Sequence, residues 1–182
     1  MRYITLTGGS AIYQRTARLV VGLAIVLGVL ALAVAIGMRI VLPVFHFPHP
    51  TGPYDIGTLT YRWVDADRAE VFSADRNARR ELMVQIWYPA KGAPSLPRAP
   101  YAQDADALGA GLARLFHVPT FVFGHVKYVT SNAIPAAPVS DAQRNYPILI
   151  FLEGLNGFRQ MNTFQVEELV SHGYIVAAID QP

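Results

Sequence analysis

Few residues in this chain have the type and spacing to do chemistry. Gly154-Leu155-Asn156-Gly157 places two glycines within four residues, one residue (Glu153) after the apolar run Pro147-Ile148-Leu149-Ile150-Phe151-Leu152. Glycines so placed let the backbone turn sharply and leave its N–H groups free. Nucleophilic catalysis by a hydroxyl needs that hydroxyl, a histidine base, a carboxylate to orient the histidine and N–H donors for the oxyanion. The serines are Ser10, Ser73, Ser95, Ser131, Ser140 and Ser171, and none stands between flanking glycines at a strand-to-helix turn. Ser171 precedes His172, but neighbours near a helix end point in different directions. Asp65 and Asp67 suggest an acid/base pair or a calcium loop. A calcium loop needs more oxygen ligands at fixed spacing, so a turn over Asp65–Arg68 is expected. His46 and His49 lie three apart in a proline-rich stretch, which is not a metal-binding pattern. His117 and His125 have no partner at a useful spacing and read as structural or surface residues. The absence of cysteine excludes disulfides, thiol catalysis and cysteine metal sites.

The glycine stretch sits inside a larger unit, Tyr146 to Asp180. The run 147–152, short and rich in branched residues, suits a parallel strand covered on both faces. A helix should begin near Asn162, an N-cap type with Gln165 three residues on in a capping-box pattern. Phe164, Leu169 and Val170 would face the core, and Gln165, Glu167 and Glu168 would stay wet. Gly173 is the natural stop, with His172 in the last turn. Tyr174–Ile179 is a second buried strand. Strand, helix and strand at this length make a right-handed βαβ crossover, and the class is α/β.

The residues of this unit and those before it resemble the first crossover of the α/β-hydrolases, most closely the platelet-activating-factor acetylhydrolase-like branch. The matching pieces are Thr51-Gly52-Pro53-Tyr54-Asp55-Ile56-Gly57-Thr58, Trp87-Tyr88-Pro89, Tyr146–Phe151, Gly154-Leu155-Asn156-Gly157-Phe158-Arg159 and Ser171–Ala178. The resemblance runs from about Thr51 to Pro182 and is weakest between Ala90 and Asn145. It implies a serine carboxylic-ester hydrolase acting on short-acyl or lipid-like esters, without metal or organic cofactor. It also implies that the N–H of Leu155 is an oxyanion donor and that Gly154 and Gly157 set the loop geometry. In this architecture the second donor and the nucleophile come from a G-x-S-x-G elbow, which is absent. The nucleophile, acid and histidine are therefore expected beyond Pro182, and the chain alone is expected to be inactive. A carboxylate stands where relatives carry His or Pro before the glycine: Glu153. Ionised beside an oxyanion it would oppose the charge, so it points away, is kept protonated by burial, or marks altered chemistry. The alternative is a non-catalytic, membrane-anchored module that binds a partner or lipid. It would leave an open parallel sheet edge, which proteins usually avoid.

The elements around this unit follow. Gly57–Val64 and Glu81–Tyr88 alternate as half-buried strands, with Leu59, Tyr61 and Trp63, then Leu82, Val84, Ile86 and Tyr88, on their apolar faces. Asp75-Arg76-Asn77 offers the turn of an antiparallel start to the sheet. The irregular insertion 90–145 holds one expected helix, Asp104 to Phe116, with Leu108, Leu112, Leu115 and Phe116 on its apolar side. It reads as a helix packed on the sheet edge or as a lid that touches membrane.

Ahead of all this, Leu19 to Met38 carries no charge, and about 20 apolar residues in a helix match a hydrocarbon core of roughly 30 Å. A transmembrane helix over 19–42 is expected, with a cleaved signal peptide as the alternative. Arg2, Arg15 and Arg18 precede it, so residues 1–18 are expected to be cytoplasmic and the domain extracytoplasmic. Ala24, Gly28, Ala31 and Ala35 share a helical face that would let two copies pack as a homodimer. A proline-rich linker over 43–53 leads to the partial hydrolase domain, 54–182. Of 182 residues, 52% are hydrophobic and 15% charged, which excludes a disordered chain. The net charge of +2, with no basic stripe, argues against a nucleic-acid partner.

Overall fold

The computed structural model describes residues 8–92 and 95–180. The first seven residues of the expected cytoplasmic segment and Gln181-Pro182 lie outside the described residues. The chain divides into two compact units, one ending at Pro43 and one beginning at Val44. The first unit is α1 (Gly8–Val41). Within it, Gln14–Met38 is long and apolar enough to cross a membrane, and a signal sequence meets the same criteria. Its side chains are exposed from Gln14 to Ile36, the small residues Ala24, Gly28, Ala31 and Ala35 included.

The second unit is an α/β domain on a five-stranded mixed sheet in the order β3-β1-β2-β5-β4. β1 (Asp55–Ala69) and β2 (Arg79–Ala90) form a long antiparallel hairpin. Its turn is closed by Asn77 N–H on Asp75 Oδ1 (2.9 Å) and Ala78 N–H on Asp75 O (3.1 Å). β2 runs antiparallel to β5 (Ile175–Asp180), and β5 pairs in parallel with β4 (Ile148–Leu152). α3 (Thr163–Ser171) connects these two and completes the βαβ unit.

Two layers of core follow from the alternation of strand side chains. On one face Trp87, Val176 and Ala178 meet Val166 and Val170 of α3, with Phe151 packed against them. On the other, Tyr88 and Ala90 meet Ile134 and Ala137, with Ile86 and Ile175 alongside.

Several sequence expectations are corrected. β4 is not covered on both faces. It is the last strand of the sheet, and Ile148, Ile150 and Leu152 are 66%, 68% and 56% exposed because α3 shields only the Phe151 side. The core stripe of α3 is Thr163, Val166, Glu167, Val170 and Ser171, spaced three and four apart. Phe164 and Leu169 are exposed and Glu167 is buried. Asn162 is the N-cap residue, but its side chain makes no cap hydrogen bond, so the capping box does not form. Instead Thr163 Oγ1 donates to Gln160 O (2.8 Å). Asp65–Arg68 is not a turn. The strand continues through it as an irregularity, with Asp65 opposite Arg80 and Ala69 opposite Arg79. Tyr61 and Trp63 stack on one another, 6.4 Å between centroids, and stand exposed where the hairpin runs past the core.

The 90–145 segment holds α2 (Ala105–Phe116), two 3-10 turns (Thr120–Phe123 and Val126–Tyr128) and the two-residue strand β3 (Ile134–Pro135), which pairs in parallel with β1. α2 packs mainly on the two turns rather than on a strand, and its Leu115 and Phe116 are exposed. The segment is stitched to itself and to the sheet by backbone bonds, among them Ala99 N–H to Ala133 O (2.8 Å) and Ala136 N–H to Thr58 O (3.0 Å).

Candidate active site

The parallel strand β4 ends at Leu152 and delivers the chain into Glu153 and the glycine turn. Gly157 N–H donates to Gly154 O at 2.8 Å, which closes a four-residue turn. Asn156 at its third position has φ +62°, the left-handed region that Asn tolerates better than other side-chain-bearing residues. The two glycines are not equivalent. A Cβ on Gly157 would lie 2.7 Å from Glu153 Cβ and 2.9 Å from Gly154 O, whereas a Cβ on Gly154 would meet nothing within 4 Å. Only Gly157 is sterically required, although the sequence suggests both. Leu155 is 97% exposed and its N–H has no acceptor among the described residues. Glu153 is half-buried beneath the turn.

Beyond the turn the chain is tied down at three successive residues. The Phe158 ring lies against Tyr101 (6.5 Å), which also meets Phe45 (5.7 Å) and Phe47 (5.3 Å). Burial in this aromatic group pushes the Tyr101 phenol up to about 12. Arg159 is buried, with its backbone N–H on Asp180 Oδ1 (2.6 Å) and its guanidinium donating to Asp180 Oδ2. Gln160 accepts from Thr163 through its backbone carbonyl. Sequence reasoning missed Arg159 and Asp180 as a pair. The available signal was a cation in the loop after the glycine turn, among Phe158, Gln160, Met161 and Asn162, and a carboxylate at the end of the last strand.

The proline-rich segment 44–53 is hydrogen-bonded to α3 at Thr51 and Gly52. Thr51 donates its N–H (2.9 Å) and its hydroxyl to Glu168, and both bonds hold that carboxyl below the usual carboxylate range. His172 Nε2 lies 3.1 Å from Glu168 and 3.2 Å from Thr51 Oγ1. Hydroxyl and carboxylate thus share one ring nitrogen, which is not the order in which a base is oriented by an acid and serves a nucleophile. Ser171 is buried and committed, donating to Glu168 O (2.7 Å) and accepting from Gly52 N–H (3.1 Å). His117 caps α2 in the left-handed region, and His125 Nδ1 pairs with Val122 O (3.0 Å). Among the described residues no three His, Asp or Glu side chains group as a metal site.

A glycine turn at the C-terminal end of β4, reached through an antiparallel hairpin and followed by a βαβ helix, is the opening part of an α/β-hydrolase sheet. The chain belongs to the platelet-activating factor acetylhydrolase, isoform II, family, whose profile matches residues 40–181. The platelet-activating factor acetylhydrolase of Cavia porcellus is 28% identical over 144 residues, which cover 73% of this chain and 28% of that protein. The solved ferulic acid esterase of Streptomyces cinnamoneus superposes with a TM-score of 0.59 at 27% identity, over 76% of this chain and 36% of that one. The chain therefore spans about a third of the length of these relatives, and an ester hydrolase is the class to which they point.

Proposed function

We propose that this chain supplies the opening strands and the oxyanion loop of a serine carboxylic-ester hydrolase acting on short-acyl or lipid-like esters. The observation that carries this reading is the unclaimed N–H of Leu155, presented on a closed turn at the end of a parallel strand. A donor so fixed stabilises the negative charge that develops on an acyl oxygen, and losing one such donor costs about 3–4 kcal/mol in other enzymes. Gly157, which permits the turn, sets its geometry, and Gly154 leaves the approach to it open. The nucleophile, acid and histidine lie outside the 182 residues, and the chain alone turns over no ester.

The apolar helix serves in this reading as a single-pass anchor, with residues 1–18 cytoplasmic and the domain on the other side. Lipid-like substrate then comes from the bilayer, and Ala24, Gly28, Ala31 and Ala35 join two copies.

The test is p-nitrophenyl acetate hydrolysis by the 182-residue chain and by the product of the whole reading frame. The reading expects none from the first. From the second it expects turnover abolished by an organophosphate. Serine-dependent turnover by the 182 residues alone refutes the missing nucleophile. A stop codon directly after Pro182 refutes the catalytic reading and leaves a membrane-anchored binding module, for which the bare face of β4 is the surface on offer.

A further inference from the structure

We propose that Arg159 and Asp180 are the positioning pair that fixes the Gly154–Gly157 turn. The catalytic consequence of this role rests on the hydrolase reading above. Among the described residues nothing covers the tip of the turn, since Leu155 is 97% exposed and a Cβ on Gly154 would meet nothing within 4 Å. Two anchors flank it. One is Leu152, paired with Ile179 in the β4–β5 ladder. The other is Arg159, whose N–H and guanidinium both land on the carboxylate of Asp180. The loop thus leaves the sheet opposite one residue of β5 and returns to the next.

A single carboxylate that takes a backbone N–H and a side chain from the same residue fixes both the position and the orientation of that residue. The side chain of Arg159 is 6% exposed and that of Asp180 30%, so the guanidinium is desolvated while the carboxylate keeps some contact with water. Two further groups serve its fork. The side-chain oxygen of buried Gln160 accepts from Nε (3.1 Å) in the amide orientation that satisfies both residues. Asp104, at the N-cap of α2, lies 3.7 Å from Nη2. Without Asp180 the buried guanidinium keeps these weaker partners and the backbone N–H of Arg159 loses its acceptor.

The test uses Asp180→Asn, which keeps size but loses the charge, and Arg159→Lys, which keeps the charge but loses the fork. In the 182-residue chain, hydrogen exchange of the Gly157 and Arg159 N–H groups, the bonded amides of the turn and its return, is expected to speed about tenfold or more in Asp180→Asn while α3 and the β1–β2 hairpin are unchanged. In the whole-frame product, kcat for p-nitrophenyl acetate is expected to fall about 10- to 100-fold with KM within about twofold, the signature of an interaction made in the transition state. Arg159→Lys is expected to fall between wild type and Asp180→Asn in both assays. Unchanged exchange at Gly157 and Arg159 overturns the proposal, and so does a loss confined to KM. Exchange that quickens equally throughout the domain overturns it as well, by making the pair a general stabiliser. If the wild-type product hydrolyses no ester, the hydrolase reading fails and the clamp is judged on exchange alone. Should Asp180→Asn fail to fold, Arg159→Lys carries both readouts.

Discussion

Replacing Glu167 by alanine tests how the core of this domain is joined to its irregular segment. Glu167 is 1% exposed on α3. Its Oε1 accepts from the N–H groups of Asn132 (2.8 Å) and Ala133 (3.1 Å), and Oε2 accepts from Asn132 Nδ2 (2.9 Å). After truncation, Ala133 N–H still has Ser131 Oγ at 3.2 Å, and Asn132 Nδ2 still has Pro48 O at 2.9 Å. Asn132 N–H has no other acceptor among the described residues. One orphaned donor costs about 1–3 kcal/mol, and the two weakened bonds add a similar amount. Relief from holding a desolvated carboxylate offsets part of this, leaving a net loss of about 2–3 kcal/mol. Glu167→Gln keeps the volume but turns an NH2 toward a donor, for a loss of about 1–2 kcal/mol.

The same residue sets a pH dependence. Burial pushes the Glu167 carboxyl up and the donated hydrogen bonds pull it back, with burial the larger effect. A folded-state value above the unfolded one means that the residue's contribution is fully present below the unfolded value, 4.5, and is lost as pH rises through the folded value. The stability gap between wild type and Glu167→Gln should therefore narrow as pH climbs through that interval. Urea unfolding at a series of pH values, followed by the emission of buried Trp87, reads both quantities. A gap that widens with pH, or a Glu167→Ala variant within about 0.5 kcal/mol of wild type, refutes the reasoning.

Two further outcomes are expected. Gly157→Ala brings its Cβ to 2.7 Å from Glu153 Cβ and should cost about 1–3 kcal/mol by urea unfolding, whereas Gly154→Ala, with open space around it, should stay within about 0.5 kcal/mol. Tyr88→Phe removes the buried hydroxyl that donates to Ala137 O at 2.7 Å, with an expected loss of about 1 kcal/mol and faster hydrogen exchange over 134–140.

What the sequence discloses here is local. The glycine turn is legible because Gly157 and Asn156 are the residue types that its backbone requires, and the strands are legible from alternation and branched runs. Glu167 is misplaced by its type alone. A glutamate on a helix reads as wet, and the three donors that let it turn inward lie 34 and 35 residues earlier, in a stretch without periodicity. The Arg159–Asp180 clamp spans 21 residues across two elements, so neither partner announces the other. Asp65 and Asp67 carry a turn signal that the hairpin absorbs without breaking, because pairing resumes at Ala69 opposite Arg79. The apolar run of β4 identifies a strand, but whether its faces are covered depends on which neighbours flank it in the sheet.

That last feature has a colloidal consequence. Ile148-Leu149-Ile150-Phe151-Leu152 has no charge, no proline and no glycine, and among the described residues it has one unpaired backbone edge and one uncovered face of three large aliphatic side chains. An edge of this composition is a template on which a further strand can be laid, including the same strand from a neighbouring molecule. The segment that leads the chain into its glycine turn is thus also an edge open to pairing with a further strand.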